Sequence, residues 1–250
     1  MKILITNDDG IYAPGIEALA TAFAEVGDVT VVGPEFEKSG VSHALTFLTP
    51  LFAHELDSDR DNVSRYAVSG TPSDCTKLGI VELCGQRPDL IVSGINGGYN
   101  VGINCVYSGT LAGAREGAFF GIPSFAVSVE VIRKGLDNPD HMEKAARLSR
   151  ELILKMLGEN RVPPHSYINM NYPISSLDGS AETVTVPMET VSFRYEFQKG
   201  TDPAGRPYYW TGHHPAEIAH DRLTDVKAVE QGMIAVTPMT YDLTDHSLLE

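Results

Sequence analysis

The chain opens MKILITNDDG, residues 1–10. Ile3, Leu4 and Ile5 make an apolar run too short for a helix and long enough for a strand buried on both faces. It ends abruptly in Asn7, Asp8, Asp9 and Gly10. Adjacent carboxylates repel, and burying either one without a partner is unfavourable. Immediately afterwards Ile16, Leu19, Phe23 and Val26 recur at helical spacing, and residues 29–33, VTVVG, form a second apolar run. A buried strand, a helix and a second buried strand form the repeating unit of a parallel sheet.

The alternation continues. After a polar loop and a β-rich patch, Thr71-Pro72-Ser73-Asp74 reads as a helix start, with Thr71 as N-cap, Pro72 at the first helical position and Asp74 in the first turn. Cys75, Leu78 and Leu83 are expected to face inward. DLIVSG (89–94) and PSFAVSV (123–129) read as buried strands, and TLAGAREGAFF (110–120) as a helix rich in small residues. Leu148, Leu152 and Met156 mark a helix over 141–157. The expected fold is α/β: a Rossmann-like, mostly parallel sheet with helices on both faces.

Beyond about residue 160 the texture changes. SYINMNYP and AETVTVP read as strands, and the region to 190 completes a core of residues 1–190. Residues 191–222 are rich in Gly, Pro, aromatics and charge and hold neither period for long, so they read as an extended arm or hairpin leaving the core. In 223–250, LTDVKAVEQG reads as a helix ended by Gly232, and MIAVTP as a returning strand.

Composition narrows the function. With 33 acidic against 19 basic residues the net charge is −14, so the chain lacks the basic footprint of a nucleic-acid binder. An anionic substrate would need local positive charge. The three cysteines, Cys75, Cys84 and Cys105, form no CxxC, which suits free thiols in a reducing, cytoplasmic setting. No apolar run approaches membrane-spanning length.

In open parallel sheets, ligands bind where the loops after the strands meet. Three such loops are rich in hydroxyls, amides and glycine: Asn7–Gly10, GPEFEKSGVSH (33–43) and INGGYNVGINCVYSGT (95–110). A hard divalent cation such as Mg²⁺ or Mn²⁺ would answer the charge of Asp8 and Asp9, since it takes carboxylates, neutral oxygens and a substrate phosphate. No His/Cys cluster competes for a softer metal. Ser108-Gly109-Thr110 begins a helix, where main-chain N–H groups and the dipole favour phosphate, a role compatible with N-capping. The Asp-x-Asp spacing of aspartyl-nucleophile phosphatases fails after the first strand, where the third position from Asp8 is Gly10, and a Walker sequence, GxGxxG and GxSxG are absent. His43 reads as a structural histidine first and a proton donor second. His213, His214 and His220 lie in the extension and read as interface or solvated residues, and Tyr208, Tyr209 and Trp210 as packing or interface residues.

These stretches carry a resemblance. ILITNDDG, SGVSHALT, GTPSDC, LIVSGINGGYNVG, YSGTLAGAREGAFFGIPSFAVS and TDVKAVEQGMIAVTP together resemble the SurE family of survival-protein nucleotidases. The resemblance implies a divalent-metal-dependent phosphatase acting on nucleoside monophosphates, 5′ and possibly 3′. It places metal ligation on Asp8, Asp9, Ser39 and Asn96, catalysis on Asp8, Asp9 and Asn96, and substrate phosphate on Ser108, Gly109 and Thr110. It implies dimers or tetramers built through the segment near 195–220 and the C-terminal helix. Glu37 and Lys38 depart from the Asn or basic residue, then Arg or Gln, common before the Ser-Gly of the second loop. The attacking nucleophile stays open between a water and Asp8 itself, and a non-catalytic nucleotide or metal sensor stands as the competing class.

Overall fold

The computed structural model describes residues 1–132, 138–191, 194–214 and 218–249. Its first unit is strand β1 (Lys2–Thr6), helix α1 (Pro14–Phe23) and strand β2 (Asp28–Pro34). An edge strand β3 (Ala53–Leu56) and β4 (Val63–Val68) follow, then α2 (Pro72–Leu78) and β5 (Leu90–Gly97). A short helix α3 (Asn104–Tyr107) precedes α4 (Gly109–Phe119) and β6 (Ser124–Val129). Next come α5 (Pro139–Gly158), β7 (Ser166–Tyr172), β8 (Thr183–Thr185), β9 (Arg194–Thr201) and β10 (Pro207–His214). The chain closes with α6 (Asp225–Glu230) and β11 (Ile234–Thr240).

Nine strands form one sheet in the order β3-β4-β2-β1-β5-β6-β7-β11-β8. From β4 to β7 every neighbouring pair is parallel, and only β3/β4 and β11/β7 run antiparallel. Alternation along β1 assigns the faces. Ile3 and Ile5 pack with Ile16, Leu19 and Phe23 of α1 and Met142 and Ile153 of α5, whereas Leu4 packs with Val32 and Cys75 on the α2 face. Asn138 caps α5 with its side chain, and Pro139 opens the helix.

The order also locates the site. From β1 the chain moves outward to β2 and β4, then returns through α2 to β5 on the other side of β1. The carboxyl ends of β1 and β5 therefore flank a topological switch point, where loops diverge and leave a crevice.

One element was not legible in the sequence, and another takes a more regular form than its sequence suggests. The glycine-rich stretch after β5 contains the helical turn α3, and Cys105 on it is buried against Leu111 and Tyr167. Within the segment read as an extended arm or hairpin, residues 194–214 form a regular antiparallel hairpin, β9 with β10, registered from Pro207↔Thr201 to His214↔Arg194. Its turn is held by Asp202, whose Oδ1 accepts the Ala204 and Arg206 N–H groups, with Gly205 at φ +81°. The hairpin forms its own sheet, and Phe197, Tyr209 and Trp210 on it are exposed, so no buried face imposes an apolar alternation.

Candidate active site

Asp8 sits at the end of β1 and is 3 % exposed. Gly10 reverses the chain just beyond it at φ +104°, a conformation that side chains disfavour. Asn7 is fully buried, and its Nδ2 donates to the Gly10 carbonyl at 2.8 Å. Asn7 thus shapes the turn, while Asp9 is half-buried on it.

The third loop closes directly over Asp8. Ser108 caps α4, its Oγ accepting the Leu111 N–H at 3.1 Å. Gly109 follows, and a Cβ there would lie 2.9 Å from Asp8 Cβ and 3.0 Å from Asp8 Oδ2. Only glycine lets the helix start approach so closely. Thr110 is fully buried, and its hydroxyl donates to Asp8 Oδ1 at 2.6 Å. Burial pushes the Asp8 carboxyl above its ordinary value; the Thr110 hydroxyl and nearby main-chain N–H groups pull it down, and Glu37 pushes it up again. The first turn of α4 therefore faces a carboxylate, the favourable end of the helix dipole for negative charge. The resemblance places Thr110 with Ser108 and Gly109 at a substrate phosphate; in the structure its hydroxyl is engaged with Asp8.

The second loop is pinned to the first. The Lys38 N–H donates to the Asp8 carbonyl at 2.7 Å, and Ile11 N–H to the Pro34 carbonyl at 2.9 Å. Ser39 is exposed at the mouth and donates its hydroxyl hydrogen to Glu37 Oε1 at 2.6 Å. Ser42, at φ +53°, bonds the third loop through its N–H to Tyr107 O and its Oγ to Val106 O. Asn96 stands near the carboxyl end of β5, opposite Ser128, just beyond a register shift against β6. Its Nδ2 donates to the Gly98 carbonyl at 2.7 Å, so its amide oxygen is the atom suited to a cation. Loops from three separate strands thus meet at β1, as their residue types suggested.

Behind the crevice lies a cluster the sequence reading did not connect. Glu116 on α4 is 2 % exposed and bonds His43 at 2.8 Å and Lys77 at 3.1 Å. Burial raises its carboxyl, yet hydrogen bonds from His43 and Lys77 outweigh that and hold it below the ordinary range. His43 also stacks on Phe119 with ring centroids 5.2 Å apart. Its imidazole thereby clamps the second loop to α4. The available signal was Glu116 itself, the one acidic residue in a helix that apart from it and Arg115 is built of small and apolar residues.

Among the described residues, no group of three or more His, Cys, Asp or Glu side chains is arranged to hold a metal ion. No helix among them is long and apolar enough to cross a membrane. The side chains of His213 and His214 lie outside the described residues; His220 pairs with Glu189 at 3.3 Å.

The family model described as survival protein SurE matches residues 3–194. The chain belongs to the SurE family. Its relatives include the 5′-nucleotidase SurE of Geobacter metallireducens, 40% identical over 249 residues that cover 100% of this chain and 95% of the relative. The 5′-nucleotidase SurE 1 of Thermus thermophilus is 43% identical over 251 residues, covering 100% and 96%. Among solved structures, the SurE protein from Aquifex aeolicus superposes with a TM-score of 0.81 at 35% identity, covering 100% of this chain and 97% of that one. The six SurE-like stretches supply β1 and its turn, the second loop, the start of α2, β5 and its loop, α4 with β6, and α6 with β11.

Proposed function

We propose that this SurE protein is a 5′-nucleotidase, a divalent-metal-dependent phosphatase that hydrolyses nucleoside monophosphates to nucleoside and phosphate. The observation that carries the reading is Asp8: a buried carboxylate at the switch point, faced by a helix start and covered by a glycine that leaves it room. A carboxylate held there above its ordinary value is best answered by a cation.

The donor set fits a hard divalent ion such as Mg²⁺ or Mn²⁺. Two carboxylates, Asp8 and Asp9, join two neutral oxygens, Ser39 Oγ and Asn96 Oδ1, and hard cations prefer all-oxygen ligands with room for water and phosphate. When bound, the ion offsets the acidic charge of the site and polarises a phosphoryl oxygen. The chain's own groups do the rest. Thr110 fixes the Asp8 carboxylate, Gly109 and Ser108 present the helix start to phosphate, and Ser108 retains a hydroxyl hydrogen to donate. Tyr12 and Phe36 are exposed on the loops flanking Asp8 and offer planar faces to a base.

Phosphate release from adenosine or guanosine monophosphate, with Mg²⁺ or Mn²⁺ and then with excess EDTA, tests the reading. Metal-dependent release is expected; nucleotide binding without release would leave a sensor instead. The same reading extends to assembly. Exposed Phe197, Tyr209 and Trp210 on the hairpin suit an interface in a homodimer or homotetramer. The free thiols of Cys75, Cys84 and Cys105 suit the cytoplasm.

A further inference from the structure

We infer that Glu37 is a positioning residue for the cation, acting through Ser39 and through its own charge. The inference rests on the metal-site reading above. A serine hydroxyl can offer its lone pairs to a cation only if its hydrogen points elsewhere. Ser39 has such an acceptor, since its hydroxyl donates to Glu37 Oε1 at 2.6 Å. This charge-assisted bond occupies the Ser39 hydrogen, which leaves the oxygen lone pairs to a cation and makes the oxygen a better ligand.

The backbone around Glu37 is not free to wander. Lys38 N–H is bonded to the Asp8 carbonyl at 2.7 Å, and Glu35 N–H to Val68 O at 2.9 Å. The main chain at Phe36 and Glu37 passes 3.7 Å from where a Gly10 Cβ would stand. The Glu37 main chain is therefore held beside the Asp8–Asp9 turn, and its carboxylate is fixed in the second loop by the Ser39 hydroxyl. The carboxylate brings a third negative charge to a site otherwise built from two carboxylates and two neutral oxygens.

The two contributions separate by substitution. Glu37→Gln keeps an acceptor oxygen for Ser39 but loses the charge, whereas Glu37→Ala loses both. Mn²⁺ binding to the nucleotide-free protein is measured by calorimetry at low and at 1 M salt, with Asp8→Asn as the reference for loss of the site. We expect Glu37→Ala to weaken Mn²⁺ about 10-fold or more, the range for loss of a group supporting a metal ligand. Glu37→Gln should fall in between, and its gap from wild type should close at 1 M salt, where a mouth charge is screened. Its gap from Glu37→Ala should persist. Wild-type affinity in Glu37→Ala overturns the proposal while leaving the metal site standing. Equal weakening by the two variants, abolished by salt, overturns the positioning role. Failure of wild type to bind Mn²⁺ overturns both this proposal and the site reading beneath it.

Discussion

Two buried carboxylates lie at opposite ends of the loop that follows β5, and they are treated differently. Asp225, at the first position of α6, is fully buried and accepts main-chain N–H groups from Gly102, Glu189 and Val226 at 2.8–2.9 Å. Those donors belong to three segments of the chain, so the carboxylate ties them together. Burial raises its carboxyl above the ordinary value, and the three N–H groups oppose that rise. Asp8 is nearly as buried, but among the described residues its one side-chain donor is the Thr110 hydroxyl, with main-chain help from Thr110 and its own N–H. A carboxylate filled by donors from everywhere is a fastener. One held by a single neighbour at a crevice keeps capacity for a ligand, at some expense in stability.

That contrast can be broken or sharpened by substitution. Asp8→Asn should lower kcat/KM on the order of 10³-fold, comparable to removing a principal charge-stabilising group. It should leave the circular dichroism spectrum unchanged and the thermal midpoint of the metal-free protein no lower than wild type, because a buried charge has been removed. Unfolding of this variant would make Asp8 a fastener too. Asp225→Ala should do the reverse, destabilising the fold by about 3 kcal/mol in urea melts because three N–H groups lose their acceptor. Any turnover should persist per folded molecule.

Gly109→Ala probes the close approach between α4 and Asp8. Its Cβ would meet Asp8 Cβ at 2.9 Å and Pro72 Cγ at 3.2 Å, so the carboxylate must shift. We expect kcat/KM to fall about 10- to 100-fold and stability to fall by about 1–3 kcal/mol, the cost of overpacking. Steady-state kinetics and melts on one preparation decide between misplacement and unfolding.

Glu116→Gln gives the smallest effect and a pH signature. The Glu116 carboxyl is lowered from 4.5 in the fold, so its ionised form stabilises the protein above that value. This contribution is lost as the pH falls below 4.5 and through the lowered folded value. Wild type should therefore exceed Glu116→Gln by about 1–2 kcal/mol at pH 7, and the difference should shrink toward zero in acid. A gap independent of pH in paired denaturant titrations would assign the effect to packing.

The sequence by itself determined the α/β class, the parallel core and the strand-end loops that form the crevice. Buried strands are short apolar runs, helices carry 3.6-residue periodicity, and polar residues at strand ends have few uses other than caps and sites. The start of α2 was readable to the residue because Thr71, Pro72 and Asp74 are local capping chemistry, and the structure has the reciprocal Thr71–Asp74 box. The hairpin β9–β10 was unreadable as strand because its strands pair only with each other and have no core face to pattern them. Tertiary structure alone decided which donors reach which acceptors. Thr110 lies 102 residues from Asp8, Glu116 lies 73 from His43, and Asp225 lies 123 from Gly102. Hydrogen bonds over such separations exist only once the sheet order has brought the elements together, so the duties of Thr110, Glu116 and Asp225 could not be read from spacing.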